Sequence, residues 1–247
     1  MKRIFTTLIV TVGLVSAAET LLSGKEILNR LEKATTAQDR KATAKMIITD
    51  RSGRVQARTL QIMTKGNQKM MITFDEPADL RGVTFMSTSS ENMWIYLPAQ
   101  VRVRRISGSM VNQSFGGSDF SYQEMTNVSF NVDDKKVNKV EEVVFKDKPA
   151  YLLTMQENDD STERSHLWVD KTLFLPLQME KLDKAGIVVK RASFSDFTEQ
   201  DSIWTPKLIR MDDLARGSKT EINLTEFNLN VGVKENLFTV ENMKRGV

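Results

Sequence analysis

The sequence predicts a mainly β protein with a few helices, built on one strongly curved antiparallel sheet. After Gln38, apolar and polar residues alternate with a period of two through most of the chain, a pattern typical of half-buried strands. Short polar turns, such as residues 50–53 and 183–186, separate these segments. Parallel strands would need crossover helices, and no such helical pattern lies between the segments. Successive strands are therefore predicted to pair antiparallel.

One amphipathic helix is predicted before the strands, at residues 24–34. Ser23 and Glu26 have the spacing of a capping box, and Ile27, Leu28 and Leu31 follow at helical spacing. The predicted strands are approximately 43–49, 55–64, 70–74, 83–88, 93–97, 101–106, 128–132, 137–145, 150–156, 166–169, 177–182, 187–197, 208–212 and 220–229.

The first 17 residues have the pattern of a signal peptide. Lys2 and Arg3 precede an apolar stretch of twelve residues, and the small side chains that follow suggest cleavage after Ala17. A membrane-spanning helix, the alternative, needs roughly 20 apolar residues. The chain has no cysteine, which excludes a lipid-anchored cysteine and disulfides. The sequence thus predicts an exported periplasmic protein with a signal peptide at 1–17 and one domain at 18–247.

Composition and motifs argue against nucleic-acid binding and against catalysis. Of the 35 lysines and arginines, two lie in the leader, so 33 basic residues face 32 acidic residues in the remainder. A catalytic triad or a zinc site would have to use His166, the only histidine, and there is no cysteine nucleophile or Gly-x-Ser-x-Gly elbow. The acidic pairs lack the spacing of a calcium loop. We expect no catalytic residue, no metal and no cofactor.

The segment 108–121 interrupts the alternation, being too rich in glycine for a strand and too long for a hairpin turn. We expect the apolar side chains of Phe115 and Phe120 to pack into a pocket, so the segment is predicted to form a mobile lid over the sheet. In the preceding strand, Arg105 would face the apolar side and need a partner, for which Asp119 is the candidate. Three solvated arginines at the sheet edge are the alternative.

These residues suggest a family. The chain resembles the outer-membrane lipoprotein-sorting proteins related to the LolA periplasmic carriers through an ordered set of segments. They are MWIYLP at 93–98, RVRRIS at 102–107, GSDFSY at 117–122, LWVD at 167–170, LPL at 175–177, DKAG at 183–186 and NLFT at 236–239.

The resemblance implies an unclosed half β-barrel, LolA/LolB-like, whose apolar face is covered by a helical lid or plug. Alternation along consecutive strands already supplies such a face. The residues predicted to line the cavity are Met46, Ile48, Leu60, Ile62, Met70, Ile72, Phe74, Phe85, Trp94 and Tyr96. The best-known carriers fasten their lid with an arginine at the position that Gly66 occupies here, so lid control would need other residues.

The function that the resemblance implies is transport without a chemical step. The protein would bind the acyl chains of a lipoprotein or a lipid and move them toward the outer membrane. Its partners would be an inner-membrane transporter or releasing complex and an outer-membrane acceptor. Alternatives are a periplasmic lipoprotein or lipid sensor, an accessory binding protein for a transporter of the resistance-nodulation-division type, and a structural or enzyme-accessory β protein.

Overall fold

One continuous sheet of thirteen strands organises the computed structural model, which describes residues 21–126, 135–157 and 164–245. The predicted signal peptide at 1–17 and the predicted strand at 128–132 lie outside the described residues. The strands are β1 (Asp39–Thr49), β2 (Val55–Lys65), β3 (Lys69–Glu76), β4 (Thr84–Ser87), β5 (Met93–Leu97), β6 (Arg102–Ile106), β7 (Lys135–Phe145), β8 (Lys148–Glu157), β9 (Arg164–Asp170), β10 (Pro176–Leu182), β11 (Val188–Gln200), β12 (Ile203–Asp213) and β13 (Ser218–Leu229).

Three helices accompany the sheet in the described part of the chain: α1 (Gly24–Thr35), α2 (Tyr122–Thr126) and α3 (Val240–Met243). The predicted cap of α1 is present, because the Ser23 hydroxyl accepts a hydrogen bond from the Glu26 main-chain N–H at 3.3 Å. No helix among the described residues has the length and apolar character needed to cross a membrane.

The sheet consists of two antiparallel meanders joined at one seam. The strand order runs from β6 back to β1, then from β13 back to β7, so β1 pairs with β13 and brings the two halves together. Strands β6 and β7 form the two edges and do not pair with each other. The prediction of a mainly β, antiparallel, curved and unclosed sheet is confirmed.

Alternation determines which side chains face the interior. In β1, the residues Ala42, Ala44, Met46 and Ile48 are buried, while their neighbours in sequence are partly or fully exposed. Cross-strand partners share a face, and Ile62, Ile72, Phe85 and Ile95 follow one another across β2 to β5. We call the face that carries these residues the inner face.

Two separate segments cover the inner face. Helix α1 packs the apolar side chains of Ile27, Leu28 and Leu31 against β8 and β9. The loop after β6, with α2, packs Phe115, Phe120 and Met125 into the main core cluster. The predicted lid loop therefore lies on the sheet, and α1 lies beside it as a second cover.

The C-terminal segment covers part of the opposite face. Val233, Phe238 and Met243 pack there against Met63, Met71 and Met86. Trp94 and Tyr96 pack against this outer cluster, so their predicted place in the cavity is wrong. The reason is the register: Trp94 lies opposite Met86, whereas Ile95 lies opposite Phe85 and carries the inner face through β5.

A pair of adjacent glycines tests how tightly the loop packs on the sheet. Gly116 and Gly117 both have positive φ, at 57° and 82°. A Cβ added at Gly116 would lie 2.6 Å from Cζ of Phe74, whereas one added at Gly117 would meet nothing within 4 Å.

We expect Gly117→Ala to lower the free energy of unfolding by about 1 kcal/mol, because alanine disfavours positive φ. Gly116→Ala should cost roughly 1–3 kcal/mol more, since its new methyl group must also displace the Phe74 ring. Chemical denaturation of the two variants measures the difference. Equal destabilisation would show that the loop is free to lift from Phe74.

Candidate functional site

A cavity opens on the inner face where the two meanders meet, next to the C-terminal end of α1. Its volume is about 960 Å³, including the part that is open to solvent. Most of its walls are apolar. The large apolar side chains that line it are Ile62, Met70, Ile72, Met125, Phe194, Ile209, Ile222 and Leu224.

The cavity lies where two neighbouring strands stop pairing. The ladder between β12 and β13 runs only from the Leu208–Asn223 pair to the Asp213–Ser218 pair. The first residues of β12 and the last residues of β13 are therefore not paired with each other. Pro206 lies two residues before the ladder begins, and a proline has no N–H to extend it. The cavity occupies this part of the inner face.

Polar groups gather at the end of the cavity nearest α1. Thr35 and Thr36 follow the last turn of the helix, and Thr64 and Thr205 contribute buried hydroxyl groups from β2 and β12. Arg40, from the start of β1, also lines the cavity. Burial lowers the pKa of Arg40 from its usual value, although a guanidinium stays charged near neutral pH. The cavity thus has an apolar body and a polar end.

Three of the predicted cavity residues, Ile62, Met70 and Ile72, line this cavity. Five others lie on the inner face in the same core cluster but beyond the cavity wall: Met46, Ile48, Leu60, Phe74 and Phe85. Sequence reasoning missed the wall formed by β11 to β13 and the polar end at Arg40. The alternation of Ile222 and Leu224 could have indicated that both face the cavity. The sequence did not show that β12 lies close to β1.

An aromatic cluster fills the inner face next to the cavity. The Phe115 ring lies 5.3 Å from Phe74, 5.6 Å from Phe85 and 5.7 Å from Tyr122, between ring centroids. Phe115 is almost fully buried. These distances are those of favourable aromatic pairs. The loop therefore closes this part of the inner face with its own side chains and leaves the cavity to one side.

Asp119 fastens the loop to the second meander. Its buried carboxylate accepts hydrogen bonds from Ser218 and, at 2.7 Å, from the Thr220 hydroxyl, and Arg216 lies 3.8 Å away. Its main-chain N–H donates to the Thr220 hydroxyl at 2.9 Å, and Lys190 donates to its main-chain oxygen at 2.8 Å. Hydrogen bonds to a charged acceptor are the stronger kind, so the loop is firmly anchored at β13.

The predicted pairing of Arg105 with Asp119 is wrong. Arg105 lies opposite Trp94, on the outer face, and donates to the Asn92 side chain at 3.0 Å. It is exposed, so solvent satisfies most of its charge and no buried partner is needed. The alternation of β6 explains the error, because Arg105 shares the outer face with Trp94, whereas the buried Ile106 lies on the inner face opposite Met93.

The arrangement of the described residues is suited to binding. His166 lies edge-on to Trp168 at 5.9 Å between ring centroids, where the two side chains pack together. Among residues 21–126, 135–157 and 164–245, no group of three or more His, Asp or Glu side chains could hold a metal ion. What the structure presents to a ligand is an apolar cavity with one polar end.

We expect Asp119→Ala to lower the free energy of unfolding by about 2–4 kcal/mol, because it leaves buried hydroxyl donors and Arg216 without their acceptor. Arg105→Ala, the matched control, should change it by no more than about 0.5 kcal/mol. Urea denaturation of both variants measures these effects. The opposite order would mean that Arg105, and not the β13 hydroxyl groups, holds the loop.

Comparisons with known proteins agree with this architecture. A family model described as an uncharacterized protein matches residues 66–245, and no curated protein matches. A Vibrio parahaemolyticus structure described as an outer membrane lipoprotein-sorting protein domain is 26% identical, with a TM-score of 0.83 over 90% of this chain and 98% of that chain. A DUF1329 family protein from Desulfovibrio piger is 29% identical, with a TM-score of 0.79 over 89% and 97%.

A LolA superfamily protein from Nitrosomonas europaea shares the fold at 18% identity, with a TM-score of 0.71 over 90% of this chain and 99% of that chain. The resemblance noted in the sequence is therefore confirmed. This chain belongs to the family that the matching model represents, with the fold of the LolA-like lipoprotein-sorting proteins.

Proposed function

We propose that this protein is a periplasmic carrier that binds the acyl chains of a lipoprotein or a lipid in its inner-face cavity and performs no chemical step. The observation that carries this proposal is the cavity itself, which has apolar walls on both meanders and lies beside two covering segments. An acyl chain that leaves water gains about 0.8 kcal/mol for each buried methylene. A wall of branched and aromatic side chains can bury the methylenes of acyl chains that differ in length.

The signal-peptide pattern at 1–17 supports an exported protein, and the lipoprotein-sorting description of the Vibrio structure supports traffic between membranes. We propose that an inner-membrane transporter or releasing complex supplies the client and that an outer-membrane acceptor receives it. A carrier of this kind needs a cavity that opens and closes but no catalytic group.

Of the two covers, we assign the moving part to the end of α1. The loop is tied to β13 through the buried Asp119 and to the sheet through Phe115. In α1, the buried residues lie in the first two turns, and no residue from Glu32 to Thr36 is fully buried. A segment with few buried contacts opens at a lower free-energy cost.

Hydrogen exchange can test this assignment. On addition of a saturated fatty acid, amides at 32–38 should exchange at a changed rate, because the helix end borders the ligand. Amides at 114–121 should keep their protection, since the buried Asp119 holds them to β13. A change confined to 114–121 would instead make the loop the gate.

A charge placed in the cavity wall tests the binding function. Ile62→Glu should weaken binding of a fluorescent fatty acid at least about tenfold, because a carboxylate in an apolar wall must be desolvated when the ligand enters. It should also remove lipid that co-purifies with the mature protein, as measured by mass spectrometry. Ile187→Glu is the matched control, since Ile187 is 63% exposed in the turn before β11.

Circular dichroism must show that both variants keep the β fold. Equal probe affinity for the wild-type protein and the Ile62 variant would contradict binding in this cavity.

A further inference from the structure

The cavity contains one charged side chain whose presence the binding of an acyl chain alone does not explain. Among the described residues that line it, Arg40 is the only ionisable one; the others are apolar residues, threonines and a glycine. A guanidinium in an apolar cavity loses hydration, which is unfavourable unless a partner replaces the water. An acyl carrier with no other requirement would be better served by an apolar residue at this position.

The partners that the protein itself gives Arg40 are few and weak. Its Nη2 donates to the Thr205 hydroxyl at 3.2 Å and to the main-chain oxygen of Thr35 at 3.5 Å, and both distances are long for hydrogen bonds. Its Nε is buried and has no acceptor. A guanidinium has five N–H donors, so most of the donor capacity of Arg40 remains open.

Two arginines of the second meander, by contrast, have carboxylate partners. Arg191 contacts Glu180 at 2.8 Å, and Arg210 contacts Asp212 at 2.6 Å. Within the part of the chain that the structure describes, no carboxylate lies within 4.0 Å of the Arg40 guanidinium, and no acidic residue lines the cavity. The nearest acid in sequence, Asp39, pairs with Lys65 at 3.3 Å and accepts from the Gly232 N–H. Arg40 therefore has no anionic partner among the described residues.

We propose that Arg40 binds the anionic head group of an amphiphile whose acyl chain occupies the apolar body of the cavity. This inference rests on the proposed function and narrows its ligand to a molecule with a carboxylate or a phosphate at one end. Both oxyanions accept two parallel N–H bonds from a guanidinium. The hydroxyl groups of Thr64 and Thr205 lie in the same end of the cavity and can donate to the remaining oxygens.

This placement fixes the direction of the ligand. Arg40 and the threonines lie at the end of the cavity next to α1, and Ile209 and Ile222 lie in the inner-face cluster. The head group would therefore sit beside the proposed moving cover, with the chain pointing toward Ile209 on β12 and Ile222 on β13. A neutral amphiphile of the same length would gain the apolar contacts but would leave the guanidinium without a partner.

The test compares ligands that share a chain and differ in the head group. Dodecanoate, dodecyl phosphate and dodecan-1-ol compete with the neutral fluorophore N-phenyl-1-naphthylamine for the wild-type protein at about pH 8, where a carboxylic acid is ionised. The wild-type protein should prefer one or both anions over the alcohol by on the order of tenfold. The anion that binds more tightly shows whether the natural head group is a carboxylate, as in a fatty acid, or a phosphate.

Arg40→Gln should remove this preference while the affinity for dodecan-1-ol stays within about twofold, and Arg40→Lys should retain part of it. Arg58→Gln is the matched control. Arg58 also has a buried, unpartnered Nε but does not line the cavity, and it donates to Gln56 and to the main chain. Its substitution should leave the preference unchanged.

A preference that survives in Arg40→Gln, or a wild-type protein that binds the alcohol as tightly as the anions, would overturn this inference and leave the carrier function standing. A parallel loss of affinity for all three ligands in Arg40→Gln would overturn it as well, because it would reveal a structural role. If the wild-type protein binds neither the fluorophore nor any of the amphiphiles, the carrier function fails and the inference fails with it.

Discussion

The pairing of β1 with β13 is the constraint on which the rest of the structure depends. It joins a meander from the first half of the chain to one from the second half, with a register that runs from Arg40–Leu229 to Thr49–Lys219. Met46 and Ile222 become direct neighbours through this pairing, and the inner faces of the two meanders become one surface. Without the seam, each half would expose its apolar face to water.

The same seam explains why the cavity lies where it does. Strand β13 pairs with β1 along its whole length but with β12 along only part of its length. A sheet that was fully paired here would bring β12 against β13 and fill the space with side chains. The break beside Pro206 leaves a region where inner-face side chains have no neighbour across the ladder. The loop covers the aromatic side of this region, and α1 covers the other.

The local parts of this fold could be predicted from the sequence, because they depend on neighbours in the chain. The Ser23 cap, the hairpin turns and most strands follow from side-chain type and from the period of two. A period of two identifies two faces but does not say which face is inside. In β1 to β3 the apolar residues show which face is inside. Strand β5 is apolar on both faces, so Trp94 and Tyr96 were predicted on the inner face although they lie on the outer one. Asp119 could not be paired from sequence, because its partners lie about a hundred residues away on β13.

Strand pairing and alternation together place Arg40 in the cavity that the proposed function uses. Arg40 is the first residue of β1 that pairs with β13, and its side chain lines the cavity beside this pair. Alternation requires an inward-facing residue at this position, because Ala42, Ala44 and Met46 follow it on the same face. The fold therefore demands a residue that points into the cavity but not a charged one. An arginine in that position carries a desolvation cost which two long hydrogen bonds do not offset, and an oxyanion at the polar end of the cavity would offset it.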